Sequence, residues 1–305
     1  MFSIDECKVV FIKFLRLNTN YSRRTVKSYE IDLTQFINFT KDRTGNNKLK
    51  INTVDETYIV SFKEEITAKG LKNSTIARKL TTLRRFFRFL SREKIIAGNP
   101  TFSIENPVVP LPVSRAISLE SIKEAIQNTP EDTFIGARDR AILEVFYGSG
   151  IRLDELVKLK LTSLDLNLGL LIVGDKTKRF RTAPIGLPAI EALQMYIAKR
   201  DRLIIGLGIE ESPEDVFLTI HAKTLSARAI QQRVFSCLQK VCEKKKSNPN
   251  ILRQSFKKHL LESGADLASV RYMLGQVVAS SAKISKKLPI ETICTRYLNA
   301  HPRSD

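Results

Sequence analysis

The chain reads as a two-domain α+β protein, mainly α with a small antiparallel β-sheet. Three observations lead there. Long stretches keep their apolar residues at helical spacing. Two short β-compatible runs, Leu170–Val173 and Thr182–Ile185, flank a polar turn. A proline-bearing stretch, ENPVVPLPVSRAIS, separates two parts that are each long enough to bury a core. The 305 residues are 43% hydrophobic and 27% charged, an ordinary globular composition. The charge balance is not ordinary. Fifty lysines and arginines against 32 acidic residues leave a net +18, which points to a polyanionic partner, nucleic acid ahead of an anionic membrane surface.

The N-terminal MFSIDECKVVFIKFL lacks the basic region and small-residue cleavage site of a signal peptide and is expected to belong to the fold. No apolar run approaches the roughly 18 residues that span a bilayer, so no membrane partner is expected. Cys7, Cys237, Cys242 and Cys294 are sparse and form no CxxC pair. They read as reduced thiols of a cytoplasmic protein, with no disulfide frame, metal or other cofactor.

The first domain is placed at residues 1–105, the linker at 106–117 and the second domain at 118–305. In the first, Ser22 precedes Val26, Tyr29, Leu33, Phe36 and Ile37, one face of a helix. Asn73 or Ser74 is placed as the cap of the strongest helix, whose stripe runs Ile76, Leu80, Leu83, Phe87, Leu90. Between these sit Arg78, Lys79, Arg84, Arg85, Arg88 and Arg92. Almost no acidic residue alternates with them, so salt-bridge lacing does not explain the run. A face laid against DNA phosphates does, with Arg78, Lys79, Arg84 and Arg85 as the expected contacts. Phe86, Phe87 and Phe89 are expected in the core, and Gly98-Asn99-Pro100 is expected to stop the helix.

In the second domain Ser118 and Glu120 open a helix, and Ala137–Tyr147 forms a mostly apolar one. It runs into YGSGIRLDELVKLKLTSLDL, where Gly148 and Gly150 permit a sharp turn before Arg152 and Glu155 begin a new helix. An arginine there can meet an anion drawn to the helix start, although a surface Arg–Glu pair is the commoner arrangement. The GDKTKRFR turn puts Lys176, Lys178, Arg179 and Arg181 at a hairpin tip. Such a tip either meets solvent and backbone phosphate, or lends one lysine to a cleft as a proton donor; Lys178 and Arg179 are expected DNA contacts. Pro188–Ile197 and Ser226–Val241 read as amphipathic helices and Val216–Ile220 as a strand. Beyond them, Arg253 and Lys257 lie in a basic run suited to a phosphodiester.

Taken in order, these segments resemble the tyrosine recombinases, and within them the Xer and integrase branch, over nearly the whole chain. SRRTVKSYEIDLTQFINF and NSTIARKLTTLRRFFRFLSREKI look like the family's N-terminal DNA-clamping helices. YGSGIRLDELVKLKLTSLDL looks like its first arginine motif, ILRQSFKKHLLESGADLASVRYMLGQ like its second, and the terminal His301-Pro302-Arg303 like the common Xer ending. The resemblance implies a C-shaped clamp on duplex DNA, made of a helical, SAM-like core-binding domain and a catalytic-type domain. It also implies a chemistry. A tyrosine attacks a DNA phosphate to give a 3′-phosphotyrosyl link and a free 5′-hydroxyl. Two arginines hold the non-bridging oxygens. A hairpin lysine protonates the leaving oxygen, and two His-type groups assist by hydrogen bonding and proton transfer.

Carried over by the resemblance, the arginines fall on Arg152 and Arg253, and the ungapped hairpin alignment puts the lysine on Lys176 rather than Lys178. The family's HxxRH is here Asn250-Ile-Leu-Arg253-Gln254, its LGH is Leu274-Gly275-Gln276, and its tyrosine position is Ser285. Asn250 and Gln276 can donate a hydrogen bond but cannot exchange a proton near neutral pH. Ser285 has a shorter reach than a phenol and no adjacent base, and none of the three histidines, His221, His259 and His301, occupies an expected position. The leading expectation is a homologue that binds double-stranded DNA with impaired strand cleavage. It would act as a homo-oligomer, or as a hetero-oligomer with an active recombinase, joined through the C-terminal tail. An active recombinase with an unusual or trans nucleophile such as Tyr297, and a nonspecific nucleic-acid binder on a recombinase scaffold, remain as alternatives.

Overall fold

In the computed structural model, which describes residues 2–18, 21–110, 116–175, 178–242, 248–276 and 289–304, the chain divides into two units, Met1–Leu111 and Pro112–Asp305. The first holds four helices: α1 (Ile4–Leu17), α2 (Arg23–Thr44), α3 (Glu56–Ala68) and α4 (Asn73–Arg92). Local chemistry sets their starts. Ser3 and Glu6 form a reciprocal capping box on α1, Ser22 Oγ accepts the Thr25 amide at 3.1 Å, and Asp55 accepts that of Thr57 at 2.9 Å. The expected cap of α4 is corrected: Lys72 is its N-cap, without a side-chain bond, and Asn73 already lies in the helix. Asn73 instead donates its side-chain amide to the Val108 carbonyl at 2.8 Å. The expected stop is corrected too. The helix ends at Arg92, where Lys94 takes a φ of 56° and the Ile95 amide bonds back to Leu90 at 2.9 Å, so Gly98-Asn99-Pro100 follows the stop.

The apolar stripes of these helices meet in one core. Phe11, Phe36, Phe86 and Phe87 are fully buried there, with Phe11–Phe86 and Phe36–Phe87 packed edge to face. The α4 phenylalanines are core residues, not stacking platforms.

The second unit is organised around α6 (Phe134–Ser149), which is buried from Gly136 to Ser149 at every position but the half-buried Arg140 and therefore forms its central element. Around it lie α5 (Leu119–Gln127), the short α7 (Leu153–Val157), α8 (Leu187–Gly206), α9 (Ala227–Leu238), α10 (Pro249–Glu262), α11 (Leu267–Met273) and α12 (Ile290–Ala300). A three-stranded antiparallel sheet, β1 (Leu164–Asp165), β2 (Leu170–Asp175) and β3 (Lys178–Pro184), runs in that order, with Leu171 opposite Ala183 and Val173 opposite Arg181. Val216–Ile220 is not a strand of it. That run turns straight back, with the Leu225 amide on the Phe217 carbonyl at 2.9 Å and an isolated bridge between Leu218 and Thr224, too short for a ladder.

The charges inside α6 are all paired. Arg138 holds Asp139 and the Leu218 carbonyl, Asp139 also accepts from Arg233 at 2.5 Å, and Glu144 takes a forked pair from Arg303. The Gly186 position, at the start of α8, would place a Cβ against the Arg303 carbonyl, so the chain end is built tightly into this unit.

Candidate functional site

Three arginines from distant parts of the second unit converge on one turn. α6 ends at Gly150, whose φ of 58° suits glycine, and an added Cβ there would meet the Phe256 ring at 2.5 Å. Two residues on, Arg152 caps α7. Arg253 lies on α10, one helical turn from Asn250, so both share a face. The Arg253 guanidinium donates to the Gly150 carbonyl and, through Nη2, to the Leu274 carbonyl at 2.5 Å.

The turn it grasps is the end of α11. A helix leaves its last carbonyls without partners, and here each has one. The Gly275 amide bonds to Tyr272 and the Gln276 amide to Arg271, both at 2.8 Å, closing a Schellman motif around Gly275 at φ 59°. The next three carbonyls are taken by guanidiniums. Arg181 Nε donates to Met273 at 3.0 Å, Arg253 to Leu274, and Arg152 Nη2 to Gly275 at 2.9 Å. Positive charge at this end also complements the helix dipole.

Glu155 ties two of these arginines together. Its Oε1 accepts from Arg152 Nη1 at 3.0 Å and Arg181 Nη1 at 2.5 Å; its Oε2 accepts from the Arg152 amide at 2.7 Å and Arg181 Nη2 at 2.9 Å. Burial opposes its ionised form, but the bonds from Arg181 and the Arg152 amide, together with both positive charges, outweigh that and hold the carboxyl below its usual range. Burial first, then the nearby Arg152 and Arg181, pull Arg253 down to about 10, which leaves it charged at neutral pH. The side chain of Arg152 is 47% exposed, against 10% for Arg181. An outward-facing forked cation fixed at its rear, beside a second held by main chain, is suited to gripping an anion with two oxygens.

Of the other expected site residues, Asn250 and Gln276 are exposed, as is Lys257. Lys178 and Arg179 open β3, with Lys178 opposite Asp175. Lys176 and Ser285 lie outside the described residues. Arg181 is displaced from its expected place at the hairpin tip. In a strand the side chains alternate, so Arg181 shares the inward side with Ala183, opposite the buried Val173. That alternation was the available signal, and the basic composition of the run masked it. The full role of Glu155 had no signal beyond its place in a helix start.

On α4 the cations divide. Arg85 is exposed, its guanidinium over the Tyr21 and Tyr29 rings and bonded to Tyr21 Oη at 2.9 Å, and Arg88 is exposed. Arg78 is half exposed and pairs with Asp32. Lys79 is corrected as a DNA contact: only 5% exposed, it donates to Asp32 at 3.0 Å and to Gln35, anchoring α4 on α2. Arg84 donates to Asn106 at 2.7 Å and to the Ile104 carbonyl, binding the segment after the helix to its own unit.

Tyr297 is a packing residue of its helix, as its position there suggests, and not the alternative nucleophile. It is 0% exposed, stacks on His301 at 4.8 Å, and approaches His301 Nδ1 at 3.3 Å through its hydroxyl. Burial pushes its phenol far up, so the phenolate is suppressed. Its helix is packed into its own unit, with Ile293 and Tyr297 in the core. Among the described residues no group of His, Cys, Asp and Glu is placed to hold a metal, and no helix is long and apolar enough to cross a membrane.

The phage integrase family profile matches residues 116–284, and that of the phage integrase N-terminal SAM-like domain matches residues 9–94. The tyrosine recombinase XerC of Pelotomaculum thermopropionicum is 35% identical over 297 residues, covering 96% of this chain and 97% of that protein. Among solved structures, the Tn1549 transposon integrase in complex with circular intermediate DNA matches with a TM-score of 0.67 at 15% identity, covering 100% of this chain and 98% of that one. A lambda integrase tetramer bound to a Holliday junction matches at 0.64 and 16% identity, covering 92% of this chain and 76% of that one. Both have the fold described above.

Proposed function

This chain belongs to the phage integrase family of tyrosine recombinases, and on that premise we propose that it is a duplex-DNA-binding recombinase subunit impaired in strand cleavage. The observation that carries the reading is an asymmetry at one turn. Arg152 and Arg253 are both fixed by hydrogen bonds to the end of α11, while, by the family pattern, the proton-transfer positions carry the amides Asn250 and Gln276 and the nucleophile position carries Ser285. An amide supplies a hydrogen bond without a proton, a loss that for general acid–base groups is worth about 10²–10⁴-fold in rate.

The retained cations hold DNA at a recombination site, with Arg78, Arg85, Lys178, Arg179 and Lys257 adding phosphate contacts. Assembly with further copies or with a cleaving homologue is supported by the tetrameric state of the lambda integrase structure. The exposed Leu298, on the outer face of α12, provides a contact for such a neighbour, since Ile293 and Tyr297 serve this chain's own core.

The test is covalent trapping. A duplex selected by the protein from a random pool is nicked so that a cleaved strand is lost, and products are separated under denaturing conditions. No protein–DNA band is expected from this protein alone. A band that disappears in Ser285→Ala or Tyr297→Phe would overturn the reading. Ser285→Ala is expected to leave duplex affinity unchanged.

A further inference from the structure

The family's phosphate grip, as proposed above, uses Arg152 and Arg253. Both donate directly to the turn at 273–275, and a third guanidinium donates to the same turn. Arg181 is 10% exposed and uses three donors at once: Nη1 and Nη2 take the two oxygens of Glu155, and Nε takes the Met273 carbonyl. Glu155 in turn fixes Arg152 through both its guanidinium and its backbone amide. The same turn receives Arg152 and Arg253 on the two following carbonyls. Arg181 therefore adds a second link, beside Arg152 itself, between Glu155 and the turn that seats both gripping arginines.

The turn is shaped to admit it. A Cβ at Gly275 would stand 3.0 Å from Arg181 Nε and 3.1 Å from its Cδ, so any side chain there would press on the arginine. A lysine at 181 could not reproduce the fork on both Glu155 oxygens together with a separate bond to Met273, because its ammonium is a single point while the guanidinium is a planar fork.

We infer that Arg181 is a positioning residue for DNA-phosphate binding: it sets the aim of Arg152 and Arg253 by locking Glu155 to the end of α11. The inference rests on the reading that those two arginines hold a backbone phosphate, and the experiment separates the two. A selected duplex is prepared with a single neutral methylphosphonate at each successive phosphate, and the affinities of the wild-type protein and Arg181→Lys are measured on the whole set. At one phosphate, neutralisation is expected to weaken the wild type by roughly tenfold, the value of one charge-assisted contact. Arg181→Lys should lose a similar factor on the natural duplex and on duplexes neutralised elsewhere, yet match the wild type on the duplex neutral at that phosphate.

A loss that persists unchanged on that duplex would mean that Arg181 only supports the fold, and the inference fails; it fails equally if Arg181→Lys binds every duplex as the wild type does. If no single neutralisation affects the wild type, the phosphate-grip reading itself falls and takes this inference with it. Should Arg181→Lys not fold, as judged by thermal unfolding, Glu155→Gln loosens the same fork and is judged by the same criterion.

Discussion

The two cation-rich regions of this protein are put together in opposite ways. On α4 the inward cation, Lys79, is neutralised by Asp32 and packed away, while Arg85 and Arg88 stay exposed. Around the end of α11, three guanidiniums donate to main-chain carbonyls, two of them, Arg152 and Arg181, share the Glu155 carboxylate, and Arg152 is 47% exposed against 10% for Arg181. The first arrangement spreads positive potential over a surface and attracts a polyanion with little regard to its exact position. The second fixes the direction of a few donors and is sensitive to where a phosphate sits. Attraction and aim are thus built from the same residue types by different burial.

The sharpest break of that contrast is Asp32→Ala. It leaves Lys79 buried without its carboxylate, and removing one partner of a buried pair costs about 3–5 kcal/mol. Denaturant unfolding should show a loss of this size, and hydrogen exchange should place it in α2 and α4. Next comes Arg253→Ala, which strips donors from the Gly150 and Leu274 carbonyls. An expected cost of about 2–4 kcal/mol follows from two unsatisfied groups, together with a loss of duplex affinity measured by titration. Stability loss without affinity loss would break the assignment of Arg253 to the grip.

A pH titration extends the comparison to the chain end. Burial, with smaller contributions from neighbouring charges, pulls His301 down to about 3, so the folded state keeps it neutral while the unfolded chain takes up a proton below about 6.5. Its contribution is therefore full above that value and declines as pH falls toward 3. Between pH 7 and pH 5 this amounts to about 2 kcal/mol, and Tm should fall accordingly, with a shallower slope in His301→Gln. The smallest effect is on salt dependence. Arg85→Ala and Arg88→Ala are each expected to reduce the slope of log affinity against log salt by about 1, whereas Lys79→Met should leave the slope unchanged. Equal slopes for all three variants would remove the distinction between outward and inward cations on α4.

Much of the fold was legible because it is local. Ser22 and Ser118 are N-caps in the structure as in the sequence, and the β-compatible runs at 170–173 and 182–185 fall in or against β2 and β3. Val216–Ile220 misled because a β-like composition needs a partner of matching length, and Thr224 supplies one bridge only. Lys79 misled because a charged residue beside an apolar stripe looks solvated until the facing helix is known. Its acid, Asp32, is far away in sequence and carries no local mark.

By itself, the sequence determined the helical character, the strong positive charge, the family resemblance and the identities at positions 152, 250, 253, 276 and 285. These follow from residue type, spacing and order along the chain. Only the tertiary structure decided which cations are donors to the protein itself, that Tyr297 is sealed in the core, and that Arg181 points inward to join Glu155 with the end of α11. The physical reason is that a guanidinium's role depends on which acceptors surround it and how much water reaches it. Here the donors and acceptors together come from four separate segments, around 150–155, 181, 253 and 273–275, that folding brings together.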